Sequence, residues 1–171
     1  EGINNANMNA KELKVEKECK FVVMDGENLE FENNTFDIGV EYGALHHVDL
    51  DKALSELSRV IKEEGEMICI EALRHNPFIH LYRKLTPHLR TEWEVEHILG
   101  VESLKIMKKY FEKVDVRFFH LLTLFLVPLR KTPFFNPLYK IFDWIDSKIL
   151  SIPFIGKFAW IMIIELKGPI K

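Results

Sequence analysis

The chain has 171 residues, 47% of them hydrophobic and 29% charged, with a formal net charge of −3. That balance fits one globular domain with its own core and excludes disordered and fibrous classes. The small net charge hides an asymmetry: residues 101–171 carry 12 Lys and Arg against 6 Asp and Glu, whereas residues 1–100 carry 11 against 20. A basic end rich in Phe, Leu and Ile fits an anionic surface such as a membrane, and nothing resembles a nucleic-acid reader. With only Cys19 and Cys69, a disulfide framework is not expected and a reducing, cytoplasmic setting is. No run reaches the roughly 20 apolar residues of a membrane span, since "FFHLLTLFLVPL" is closed by Arg117 and Arg130 and "FIGKFAWIMII" contains Lys157.

Taken in order, residues 5–18 read as a helix, and "KFVVM" reads as a short buried strand bounded by Asp25 and Gly26. "FDIGV" is a second such strand. "DLDKALSELSRVIKEEG" then sets Ala53, Leu54, Leu57, Val60 and Ile61 on one helical face, capped by Asp49 or Asp51 and ended by Gly65. "EMICIEAL" is a third strand, Pro77 opens a helix through "FIHLYRKL", and Thr91 with Glu94 forms a capping box for the segment leading into "VESLKIMKKYF". "KVDVRFFHLLT" and "FAWIMIIEL" are the last two strands. A hydrophobic insertion, residues 124–156, divides them and holds the amphipathic helix "NPLYKIFDWIDSKIL". Short buried strands alternating with helices predict an α/β fold with a mostly parallel sheet covered on both faces and an antiparallel C-terminal edge.

In such a sheet, ligands bind outside the carboxyl ends of the strands. Residues 25–29 and 41–49 are two such ends. Asp25 can accept a hydrogen bond from an exocyclic amine, and Gly26 lets a flat ring approach the backbone.

"VVMDGENLEFENNTFDIGVEYGALHHV", followed by "ALSELSRVIKEEGEMICIEAL", resembles the class I S-adenosylmethionine-dependent methyltransferases, in particular the methyltransferase type 11 branch. The resemblance covers about residues 1–120 and implies a Rossmann-like sheet, S-adenosylmethionine as cofactor and methyl transfer as the activity. It further implies that Asp25 accepts from the adenine amine, that the backbone of Gly26 and Glu27 meets the ring edge, and that Leu29 packs on the ring. Glu41, Tyr42 and Gly43 would line the methionine and sulfonium end. Asn4 stands where the family has the acid that grips the ribose. The family's glycine-rich loop has no counterpart, so the chain is expected to be the N-terminally incomplete, C-terminal part of an enzyme, inactive alone. The missing central strand also implies low stability or filling of the gap through a homodimer or strand-swapped assembly.

His47 is the candidate general base, with a purely structural hydrogen bond as the alternative. Adjacent histidines tend to point apart and the aspartates nearby serve as helix caps, so no metal is expected. Acceptor contacts are expected from His46 and from the lid "RHNPFIHLYRKLTPHLRTEWEVEH", where Tyr82, Arg83, His88, Arg90 and Trp93 are the candidates. The predicted acceptor is a small molecule, hydrophobic or lipid-like, delivered at the surface of a membrane that the protein touches peripherally. The competing reading is a non-catalytic, degenerate methyltransferase fold that binds a membrane surface or a partner.

Overall fold

The fold, taken from a computed structural model, is described for residues 2–89, 96–152 and 154–171. The chain runs through α1 (Gly2–Glu12), β1 (Phe36–Tyr42), α2 (Leu50–Val60), β2 (Ile61–Ala72), α3 (Pro77–Leu85), α4 (Ser103–Met107), β3 (Phe111–Phe119), α5 (Phe135–Ile149) and β4 (Ile161–Pro169), with short 3-10 turns between. The strands form one sheet in the order β1-β2-β4-β3, in which β1 and β2 are parallel and β4 runs antiparallel to both of its neighbours. The antiparallel C-terminal strand thus sits between β2 and β3, and β3 forms the edge on that side among the described residues.

Strand alternation sorts the side chains into two faces. Met67, Cys69 and Glu71 of β2 point one way with Met162, Ile164 and Leu166 of β4, and all are buried, as is Leu73 just beyond the end of β2. Leu50 and Leu57 of α2 and Leu104 and Ile106 of α4 pack against this cluster. The opposite face carries Ile38, Val40 and Tyr42 exposed and Ile68, Ile70 and Ile163 half-buried. Covering on both faces was expected; among the described residues one face is closed, because α2 and α4 both pack on the same side.

Three local expectations are corrected. Residues 20–24 form no strand, and Val22 and Val23 are exposed: a strand exists only by pairing, and among the described residues none lies beside this segment. The first helix occupies residues 2–12 rather than 5–18. The helix capped by Asp49, whose side chain accepts from the Lys52 N–H, ends at Val60 instead of Gly65. Ile61 already pairs with Phe36 of β1, and the Lys171 ammonium donates to the carbonyls of Ser58 and Ile61, satisfying groups that a helix end leaves open. Gly65 lies inside β2, where a Cβ would come within 2.8 Å of the Asp37 carbonyl oxygen. The Thr91 and Glu94 capping box falls outside the described residues.

No described helix is long and apolar enough to cross a membrane. The segment between β3 and β4 holds α5 and a 3-10 helix over Thr123–Leu129. Its anchor is Asp146, 2% exposed, whose carboxylate accepts from the N–H groups of Leu121, Leu122 and Thr123 and from the Thr123 hydroxyl at 2.8–3.1 Å.

Candidate functional site

The two predicted strand ends are held by α2. Asp25 is exposed, and its Oδ1 accepts from the Glu27 N–H at 2.9 Å, closing a tight turn with Asn28. Glu27 reaches across to accept from the Asp49 N–H at 2.8 Å and from Lys52 at 3.2 Å. Farther along, the Leu29 N–H donates to Glu56, and the Arg59 guanidinium donates to the carbonyls of Leu29 and Phe31 and to Glu56. Loop 25–31 is therefore pinned to one helix by a forked, charge-assisted network. Gly26 keeps open space over its Cα, with only a Val48 methyl 3.9 Å from where a Cβ would sit.

At the end of β1, the Gly43 N–H donates to the Ile70 carbonyl, extending the ladder by one rung before the chain turns at φ +61°, a conformation glycine adopts without strain. The turn Leu45–His47 follows. Here the structure assembles a carboxylate pair that the sequence reading does not contain. Glu71, 1% exposed, accepts from the Leu45 N–H at 2.8 Å and bonds His46 Nδ1 at 2.9 Å. Glu41, on the neighbouring strand, accepts from the Ala44 N–H with Oε2, while its Oε1 is buried and has no partner among the described residues.

Burial, with Glu71 beside it, pushes the Glu41 carboxyl up to about 7. Burial likewise raises the Cys69 thiol, with Glu41 and Glu71 adding to it, so this cysteine stays protonated and inert. The signal that would have revealed Glu71 is its phase: it lies two residues after Cys69 and four after Met67, on the buried face of an apolar strand.

Beyond these ends lies a cavity of about 260 Å³ lined by His46, Ala72, Ile79, Tyr82, Arg83, Ile98 and Trp160. The elements around it are fixed by Asn76, fully buried, which caps α3 through Phe78 and Ile79 and donates to the Phe158 carbonyl at 2.7 Å. Arg83 donates to the Leu73 carbonyl. Three of the predicted acceptor residues, His46, Tyr82 and Arg83, thus share one cavity, and Trp160 joins them unforeseen. Trp93 and Arg90 fall outside the described residues. His88 lies in the turn after α3. His47 is exposed and stacks on His46 with ring centroids 4.1 Å apart, and it does not line the cavity. Asn4 is exposed in the first turn of α1, Leu29 is half-buried and Tyr42 is exposed on the open face.

The raised Glu41 carboxyl makes a pH prediction. Its folded value of about 7 exceeds the ordinary 4.5, so its contribution to stability is complete below 4.5 and is lost as pH rises through 7. Glu41→Gln, which mimics the protonated acid, should raise the melting temperature by about 2–6 °C at alkaline pH and leave it unchanged near pH 4. Thermal melts at the two pH values decide this; an equal shift at both would contradict it.

Residues 1–69 match the family described as a methyltransferase domain. A ubiquinone/menaquinone biosynthesis C-methyltransferase from Rickettsia prowazekii is 36% identical over 72 residues, 42% of this chain and 29% of the relative. A sterol 4-C-methyltransferase from Caenorhabditis elegans is 30% identical over 87 residues, 50% of this chain and 25% of the relative. The chain thus spans less than a third of the length of these relatives. Among solved structures, geranyl diphosphate C-methyltransferase from Streptomyces coelicolor superposes with a TM-score of 0.56 at 15% identity, over 97% of this chain and 60% of that one. Phosphoethanolamine N-methyltransferase 2 from Haemonchus contortus, bound to S-adenosyl-L-methionine, gives 0.55 at 19% identity over 92% and 40%.

Proposed function

We propose, from the premise that this chain belongs with the class I S-adenosylmethionine-dependent methyltransferases in sequence family and fold, that it serves methyl transfer from S-adenosylmethionine to a small, lipid-like acceptor. One observation carries the reading: His46, Tyr82 and Arg83, from two separate stretches, line one cavity immediately beyond the strand end that holds Glu41 and Gly43. The residues suit the cofactor. Asp25 is an exposed acceptor for the adenine amine, the open space over Gly26 admits the ring, and Glu27 and Leu29 stand on the same pinned loop. Asn4 remains the candidate for the ribose, while Glu41, Tyr42 and Gly43 are the candidates for the methionyl end. The sulfonium supplies the leaving group, so the protein's task is placement of the nucleophile at about 3–3.5 Å.

The mostly apolar lining favours a hydrophobic acceptor, as do relatives named for ubiquinone and menaquinone, a sterol and geranyl diphosphate. The test is transfer of label from methyl-labelled S-adenosylmethionine into an organic-extractable product by the whole protein. Label appearing only in water-soluble acceptors would refute the lipid-like assignment.

A second property is favoured by the surface around that cavity. Phe78 and Leu81 of α3 are exposed, Phe78 packs edge-on against Phe125 at 4.8 Å, and Phe134, Trp144 and Phe154 farther along the chain are exposed as well. Arg130, Lys131, Lys140, Lys148 and Lys157 lie in the same stretch. Apolar side chains among cations fit peripheral binding to an anionic bilayer. Co-sedimentation with phosphatidylserine vesicles, lost at high salt and absent with phosphatidylcholine, is the expected result; indifference to lipid charge would contradict it.

Among the described residues no strand pairs with the outer edge of β1, where Ile38, Val40 and Tyr42 are exposed, and that edge can serve as a template for another strand. A second copy is the partner in dilute solution, and sedimentation should report a dimer; a stable monomer would exclude it.

A further inference from the structure

We propose that the cavity between β3 and α5 is a second ligand site, built for a small α-amino acid with an apolar side chain. It has a volume of about 320 Å³, and its walls include Val116, Arg117 and Phe118 of β3 and Asp143, Ser147 and Leu150 on α5 and its end. Asp143, Ser147 and Leu150 stand at i, i+4 and i+7, so the helix turns one stripe toward the strand. No lining residue is shared with the acceptor cavity. The volume lies at the lower end of the about 300–1,000 Å³ usual for small-molecule sites, which limits the occupant to a small molecule.

Two charged side chains select that occupant. Arg117 and Asp143 line the same cavity, yet among the described residues neither forms an ion pair or a side-chain hydrogen bond. Arg117 also borders the open sheet face, where the carboxylates of Asp115 and Glu165 are already engaged, by Lys113 at 3.0 Å and by Lys167 at 2.7 Å. Asp146 is occupied by the donors of residues 121–123. Ser147 and Ser151 spend their hydroxyl protons on the Trp144 and Lys148 carbonyls, so toward a ligand they only accept. The guanidinium thus offers its fork to a carboxylate, while Asp143 and two accepting hydroxyls suit an ammonium. An anion alone would satisfy Arg117 and face Asp143; an amine alone would do the reverse. A zwitterion satisfies both. Val116, Phe118 and Leu150 present apolar surface between the polar groups, which fits an aliphatic side chain.

The test is calorimetric titration of the whole protein with L-leucine and with two half-probes, 4-methylpentanoate and 3-methylbutylamine, which keep the apolar chain and carry only the carboxylate or only the ammonium. L-Leucine should bind with Kd of about 10 μM to 1 mM, and each half-probe at least ~10-fold more weakly. Arg117→Gln and Asp143→Asn should each weaken L-leucine about 10- to 100-fold. Arg117→Gln should leave the affinity for 3-methylbutylamine unchanged, and Asp143→Asn should leave that for 4-methylpentanoate unchanged. Glycerophosphoserine, the same amino-acid group as it occurs on a lipid, should bind more weakly than L-leucine for want of the apolar chain. Absence of L-leucine binding at about 10 mM, or equal binding by either half-probe, overturns the proposal, and both are read on the wild type whatever the folding of the variants. Tighter binding of glycerophosphoserine, L-leucine affinity untouched by both substitutions, or displacement of L-leucine by S-adenosylhomocysteine also overturns it. These outcomes leave the methyltransferase reading where it stands, because the two cavities are separate.

Discussion

Phe111→Ala should destabilise the protein by about 3–5 kcal/mol, the cost of deleting a large, fully enclosed side chain and leaving a cavity. Phe111 is 0% exposed, opens β3 opposite Pro169, and belongs to the cluster that also contains Leu54, Met67 and Ile164. The strand start is tied to the end of β4, since the Ile170 N–H donates to the Tyr110 carbonyl beside the Phe111–Pro169 pair. The backbone therefore cannot collapse inward to fill the space, which places the substitution at the upper end of the range. Denaturant titration measures it; a loss below about 1 kcal/mol would mean that the β3 end of the sheet is not part of the cooperative core.

Asp146→Ala should cost about 3 kcal/mol, lowering the melting temperature by roughly 6–12 °C. The carboxylate is buried and receives three backbone N–H groups and one hydroxyl, so its removal strands several donors at once. Those donors begin the 3-10 helix that packs beside α5, and their release should free the whole segment between β3 and β4. The loss should be accompanied by faster proteolysis within residues 124–149. A shift below ~2 °C would show that the segment is held by its apolar contacts alone.

Both sites show where the sequence was legible and where it was not. The α2 helix, its Asp49 cap and the strands around "FDIGV" and "EMICIEAL" could be read because apolar periodicity and capping chemistry agree there. Phe111 closes the stretch "VESLKIMKKYF", ahead of the strand expected from Lys113, yet it begins β3: pairing with β4 sets the strand start, and pairing is not local information. "KFVVM" failed for the complementary reason, since a strand-like composition without a neighbour makes no ladder. Asp146 passed as a charge on an amphipathic helix because its donors lie some 23–25 residues earlier in the chain. The cofactor-side candidates came from the resemblance to the methyltransferase type 11 branch, and most acceptor-side candidates from lid composition. Glu71 and Trp160 came from neither, because each is brought to the site by sheet register and not by a motif.

The measurement that bears most directly on the central claim is calorimetric titration of S-adenosylhomocysteine into this 171-residue chain and its Asp25→Ala variant. Binding with Kd of about 1–100 μM, weakened about 10- to 100-fold by loss of the Asp25 carboxylate, is the predicted result. Absence of binding, or equal binding by the two proteins, would contradict the assignment of loop 25–31 to the adenine end of the cofactor.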